Sequence, residues 1–82
     1  MNNEFLKIIS IFIKSDLTQN MIDENLRDLG LDSLATIELL LEIEEYYDIS
    51  FPDEYLSEKT FSTANQLWKV VIQLVNMENS LV

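Results

Sequence analysis

Leu29-Gly30-Leu31-Asp32-Ser33-Leu34 decides how the rest of the chain is read, because a polar stretch ends there and the most strongly helical run begins. Gly30 is the only glycine in the chain. Asp32 is suited to be a helix N-cap: its carboxylate can accept hydrogen bonds from first-turn backbone donors that have no partner inside the helix. Ser33 is then the first helical residue. Its hydroxyl lies at the positive end of the helix dipole, where an attached anion, a phosphate above all, is stabilised by backbone N–H groups.

The helix that Ser33 opens is expected to run to about Tyr47. At 100° per residue it carries two apolar stripes. One holds Leu39, Leu40, Ile43, Tyr46 and Tyr47, with Thr36 at its start, and is expected to face the core. The other holds Leu34, Ile37 and Leu41 among Glu38, Glu42, Glu44 and Glu45. Burying this second stripe would carry unpaired carboxylates into a small core at high cost. Left exposed, it forms an apolar patch in an acidic frame, suited to a partner surface with aliphatic and basic residues. The competing structural reading is that it covers the preceding loop.

On the N-terminal side, Phe5, Ile8, Ile9 and Phe12 fall at i, i+3, i+4 and i+7 and predict a helix from about Asn3 to Lys14. Ser15 to Leu31 reads as a long loop. Met21, Ile22, Leu26 and Leu29 are spaced to tie it to the core, with a helical turn expected around Asp23 to Asp28. Asp23, Glu24 and Asp28 lack the alternating oxygen ligands and central glycine of a calcium loop, so no metal site is expected there.

On the C-terminal side, Pro52 disfavours helix at Phe51 and makes Pro52-Asp53-Glu54 a natural first turn for a short third helix reaching about Leu56. Tyr55 and Leu56 are expected to close one side of the core. Thr63 with Gln66 has the form of a capping box and opens the last helix, whose stripe is Leu67, Val70, Val71, Leu74 and Val75, extended by Trp68 and Ile72. Met77 to Val82 is expected to fray. The expected fold is an all-α, small four-helix bundle of three longer helices and one short third helix, in a single domain over residues 1–82.

Composition narrows the function. The 82 residues include no cysteine and no histidine. The chain therefore lacks disulfides, thiolate metal ligands and the usual general base, and catalysis by this domain alone is not expected. Fifteen acidic against five basic residues give a net charge of −10. That balance disfavours nucleic acid and anionic membrane surfaces and favours a basic protein partner, with plain solubility an equal reading of the charge alone. The apolar run Ile8 to Ile13, flanked by Glu4, Lys7 and Lys14, is too short and amphipathic for a transmembrane span and lacks a signal-peptide pattern, so a soluble cytoplasmic protein is expected.

With these elements in register, the chain resembles the acyl and peptidyl carrier proteins. The resemblance rests on Leu29-Gly30-Leu31-Asp32-Ser33-Leu34 with Thr36-Ile37-Glu38-Leu39, on Ile49-Ser50-Phe51-Pro52-Asp53-Glu54, and on Phe61-Ser62-Thr63, and it runs over nearly the whole length. It implies that Ser33 receives a 4′-phosphopantetheine arm from coenzyme A through a phosphodiester, flanked by Asp32 and Leu34. A separate phosphopantetheinyl transferase would install the arm, since no residue near Ser33 in sequence could activate its hydroxyl. The arm's thiol would carry an acyl or aminoacyl group as a thioester, which is how a cysteine-free chain could serve thiol chemistry. The resemblance also implies that Leu34, Ile37, Glu38, Leu41, Glu44 and Glu45 form the face shown to basic patches on loading, transfer and condensing enzymes, with the carrier acting as a monomer.

Two features depart from carriers of primary fatty acid synthesis. Ala35 stands where those usually have an acid, and the segment between Pro52 and Thr63 is slightly longer. Phe61-Ser62-Thr63 is closer to carriers of peptide and polyketide assembly, so a free-standing carrier of a specialised polyketide or non-ribosomal peptide type pathway is expected. An unmodified acidic adaptor using the Leu34, Ile37, Leu41 face is the alternative.

Overall fold

The computed structural model describes residues 2–13 and 15–80, with side chains through residue 77. Three α-helices form the bundle: α1 (Asn3–Phe12), α2 (Ser33–Tyr47) and α3 (Ala64–Ser80). No strand occurs among the described residues. The segments joining the helices are held by single turns and by side chains that capture backbone groups.

Asn2 caps α1, its Oδ1 accepting the N–H groups of Glu4 and Phe5 at 2.8 and 3.2 Å. Phe5, Leu6, Ile8 and Ile9 are buried along one side of this helix. The helix ends at Phe12, before the expected boundary, and Lys14 lies outside the described residues. Ser10 fixes the exit of the chain. Its Oγ donates to the Leu6 carbonyl at 2.8 Å and accepts the N–H of Leu17 at 2.9 Å, seating Leu17 in the core.

The long loop contains a 3₁₀ turn at Gln19–Met21 and a second turn over residues 25–31, so the expected turn at Asp23 to Asp28 is displaced. The displacement has a local cause: Asn25 Oδ1 accepts the N–H of Arg27 at 2.9 Å and starts the turn there. Gly30 ends it at φ 112°, a left-handed conformation in which a Cβ would clash. Leu26 and Leu31 are buried anchors of this turn, while Met21, Ile22 and Leu29 pack partly against the core. The loop is also clamped to α3 and to the segment leading into it. Leu26 N–H donates to Ser62 O at 2.8 Å, Asn65 N–H to Ile22 O at 2.9 Å, and the Asn65 side chain to Asp23 Oδ1 at 3.0 Å.

The core joins α1, α2 and α3 through Phe5, Ile9, Leu39, Ile43, Leu67 and Val71, all fully buried. Each such side chain contributes about 1.5–3 kcal/mol on burial. An aromatic group closes one end: Phe5 lies 4.8 Å from Trp68 and 6.2 Å from Tyr47 between ring centroids. Tyr46 corrects the expected core stripe. It is 52% exposed, standing in the last turn of α2 edge-on against Tyr47 at 4.9 Å rather than reaching the core. Ile72, expected to extend the stripe of α3, is likewise exposed.

The expected short third helix is a single 3₁₀ turn, Asp53–Tyr55, so among the described residues the bundle has three α-helices rather than four. Only Tyr55 and Leu56 are apolar between Asp53 and Lys59, too few for a helical stripe. Ser57 then diverts the backbone, its Oγ accepting the N–H of Thr60 at 3.4 Å. Leu56 is exposed and does not close the core; Tyr55 packs against it partly. Thr63 caps α3, its Oγ1 accepting the N–H of Gln66 at 3.1 Å. Residues Met77 to Ser80, expected to fray, continue α3, and Leu81 and Val82 lie outside the described residues.

Candidate functional site

Ser33 is exposed at the first position of α2, and the residue before it sets its direction. Asp32 holds an extended backbone while its Oδ1 accepts the N–H of Ala35 at 2.8 Å. Its carbonyl accepts both the N–H of Thr36 at 2.9 Å and the Thr36 hydroxyl at 2.8 Å. Two first-turn donors are thereby satisfied. The N–H groups of Ser33 and Leu34 have no acceptor within the helix, as at any helix start. A phosphate ester on that oxygen fits: the site is open, uncrowded and at the positive end of α2.

Leu34, Ile37 and Leu41 are 67%, 56% and 58% exposed, so the second stripe of α2 does not cover the loop. Glu38, Glu42 and Glu45 are exposed around it. Glu44 departs from the expected face. It is half-buried, and its Oε2 accepts the backbone N–H of Phe51 at 2.8 Å. The carboxylate thus holds the segment leaving α2 rather than standing free in the frame.

Beside the stripe lies a groove of about 620 Å³ between α2 and the segment at residues 56–62, floored by Leu31, Ile37, Leu40, Leu56 and Phe61. Ile37 belongs to both the stripe and the groove, so the two apolar surfaces are continuous. Phe61 is held in place by stacking on buried Phe51 at 5.9 Å. The sequence did not reveal this groove. Its walls come from three segments distant along the chain, and no periodicity within any one of them signals it. Among the described residues no group of acidic side chains is placed to hold a metal ion, and no helix is long and apolar enough to cross a membrane.

The site is thus an exposed serine at a capped helix head, beside an apolar-acidic face. The chain belongs to the phosphopantetheine attachment site family, whose model matches residues 6–70, and it is accordingly a non-catalytic carrier with 4′-phosphopantetheine as its prosthetic group. It is 36% identical over 77 residues to the D-alanyl carrier protein of Streptococcus mutans, covering 93% of this chain and 96% of that protein.

Two solved structures share the fold at a comparable level. Both contain an engineered Bradyrhizobium japonicum glycine:carrier protein ligase complexed with carrier protein from Agrobacterium tumefaciens, one with ATP and one with AMP. The chain matched in the ATP complex has a TM-score of 0.77 at 29% identity, over 87% of this chain and 95% of that one. The corresponding values in the AMP complex are 0.74 and 32%, over 88% and 99%.

Proposed function

We propose that Ser33 bears the 4′-phosphopantetheine arm and that this carrier holds a small amino acid on it as a thioester, loaded by a separate ATP-dependent ligase. The observation that carries the attachment is the exposed Ser33 hydroxyl at the head of α2, next to the N-cap Asp32 whose Oδ1 accepts the Ala35 N–H. When bound, the arm supplies the thiol that this chain lacks. D-alanine and glycine are the cargoes stated in the names of the related proteins, and both support an aminoacyl load over an aryl or longer acyl one. The same names support the aminoacyl branch of the specialised pathways expected from the sequence rather than the polyketide branch.

The partners are then a phosphopantetheinyl transferase, the aminoacyl ligase and a downstream acceptor enzyme. Leu34, Ile37, Glu38, Leu41 and Glu45 are the docking face, with Leu34 and Asp32 flanking the modified serine. Steering by a chain of net charge −10 speeds encounter with basic surfaces. The cytoplasm, which supplies coenzyme A and ATP, is the compartment this reading requires for loading.

Intact mass after incubation with coenzyme A and a promiscuous phosphopantetheinyl transferase tests the attachment. The wild type should gain one phosphopantetheine unit and Ser33→Ala none. A folded wild type that gains nothing would overturn the reading in favour of an unmodified adaptor.

A further inference from the structure

The two flanks of the α2 stripe carry opposite charge. Winding at about 100° per residue sets Glu38, Glu42 and Glu45 on one side of the line through Leu34 and Leu41, and Thr36, Ile37 and Leu40 on the other. The three glutamates are exposed, and α2 contains no lysine or arginine to offset them. On the other side, Thr36, Ile37 and Leu40 line the groove together with Arg27, Glu58 and Lys59. Two of the chain's five basic residues are gathered there, so the groove lining is net positive in a protein of net charge −10. Glu44, the remaining carboxylate on that side of α2, is half-buried and accepts the Phe51 N–H.

Both cations are available to a partner. Arg27 Nη2 lies 3.7 Å from Glu58 Oε1 with the side chains 67% and 90% exposed, and an ion pair so exposed is weak enough for Arg27 to exchange it. Lys59 is exposed and makes no ion pair among the described residues. Its place is fixed through the backbone, where its carbonyl accepts the Ser62 N–H at 3.2 Å and the Ser62 hydroxyl at 2.7 Å.

We propose that this face is read across the stripe: its partner is a helix with an aliphatic ridge, basic side chains along one flank and carboxylates along the other, the carboxylates meeting Lys59 and Arg27. The proposal rests on the docking face assigned above and specifies the chemistry of what docks there. A uniformly basic surface would satisfy Glu38, Glu42 and Glu45 but press cations against Lys59, and like charges brought together cost affinity. Net charge attracts any basic surface, whereas the reversed flank turns one away, which makes Lys59 a specificity-determining residue. The arrangement also fixes direction, because turning the partner helix end for end exchanges its flanks.

Two stapled helical peptides of identical composition test this. Each carries a leucine ridge with equal numbers of lysine and glutamate; in one the lysines occupy one flank and the glutamates the other, and in the second they alternate on both flanks. Equal composition cancels the effect of net charge. The unmodified wild type is titrated at about 0.15 M salt, where the screening length is about 8 Å, and binding is followed by the resonances of Leu34, Ile37 and Leu41. The segregated peptide should bind about threefold more tightly, the scale of one exposed ion pair.

Lys59→Glu keeps the backbone bonds to Ser62 and makes the groove lining net negative, so it should abolish the preference. Glu42→Lys, on the opposite flank, should reduce it. Equal affinity for the two peptides in the wild type, tighter binding of the alternating one, or a preference unchanged in Lys59→Glu overturns the proposal and leaves attachment at Ser33 untouched, since the unmodified chain is used. Failure of both peptides to shift Leu34, Ile37 and Leu41 removes the docking face and this proposal with it.

Discussion

The Glu44 carboxylate accepts the backbone N–H of Phe51 at 2.8 Å, while the Glu44 carbonyl accepts the N–H of Ile49 at 3.0 Å. One residue thus holds both ends of the turn by which the chain leaves α2. Asp48 between them is left-handed at φ 53°, a conformation that few residues other than glycine adopt readily, and these bonds keep it there. The turn delivers Ile49 and Phe51 into the core. Glu44→Ala should therefore cost about 1–3 kcal/mol, the range for leaving a partly buried donor unpaired. Glu44→Gln, which keeps an acceptor, should cost less. Urea denaturation of the two variants checks the order, and equal stability of Glu44→Ala and wild type would refute this role.

The exposed face should behave in the opposite way. Leu34→Gln, Leu41→Gln and Glu45→Lys remove no core contact and should leave stability within about 0.5 kcal/mol of wild type. Each should reduce kcat/KM for modification by the transferase, with Glu45→Lys losing most at low ionic strength, where charge steering is least screened. A drop in melting temperature without change in modification rate would assign these side chains to the fold instead.

The contrast between Glu44 and Glu45 shows what the sequence could and could not disclose. Periodicity identified α2, its exposed stripe and the cap at Asp32, because each is set by residues within one or two turns of one another. Glu44 lies on the α2 surface in that same periodicity. Its engagement with Phe51 depends on a left-handed turn at an aspartate, for which the sequence carries no glycine signal. The third helix failed for a related reason. Pro52 with two following acids is a good helix start, but only tertiary contacts sustain so short a helix, and Leu56 finds none in the core. Arg27 and Glu58 pair across a groove whose walls are far apart in sequence, and long-range pairing of this kind leaves no local pattern.

Tyr47 offers a test of the aromatic end of the core. Its hydroxyl is buried without a hydrogen-bond partner among the described residues. Tyr47→Phe should accordingly be neutral or stabilising, since it removes a polar group without leaving another unpaired. Burial, chiefly, and then the charges of Tyr46 and Glu4 raise the phenol above its ordinary value. The folded state thus keeps the proton in a range where the unfolded chain loses it. Stability from this group is present below about pH 10, the unfolded value, and is lost as pH rises from there through the folded value. Thermal melts between neutral and strongly alkaline pH should show Tyr47→Phe losing less stability than wild type on the alkaline side. Parallel curves would show that Tyr47 makes no such contribution.

Asp32 can be separated into a structural and a recognition role by two substitutions at one position. Its Oδ1 accepts the N–H of Ala35, a bond that asparagine preserves and alanine removes. Asp32→Ala should cost about 1 kcal/mol as a lost N-cap, whereas Asp32→Asn should retain nearly full stability. The negative charge disappears in both variants. If Asp32 serves only to start α2, Asn restores modification of Ser33 along with stability. If its charge also meets a basic group on the transferase, Asn restores stability alone, and the modification rate stays low in both. Intact-mass time courses beside thermal melts distinguish the two, and we expect the second result, because the cap uses one carboxylate oxygen and the Asp32 side chain is exposed.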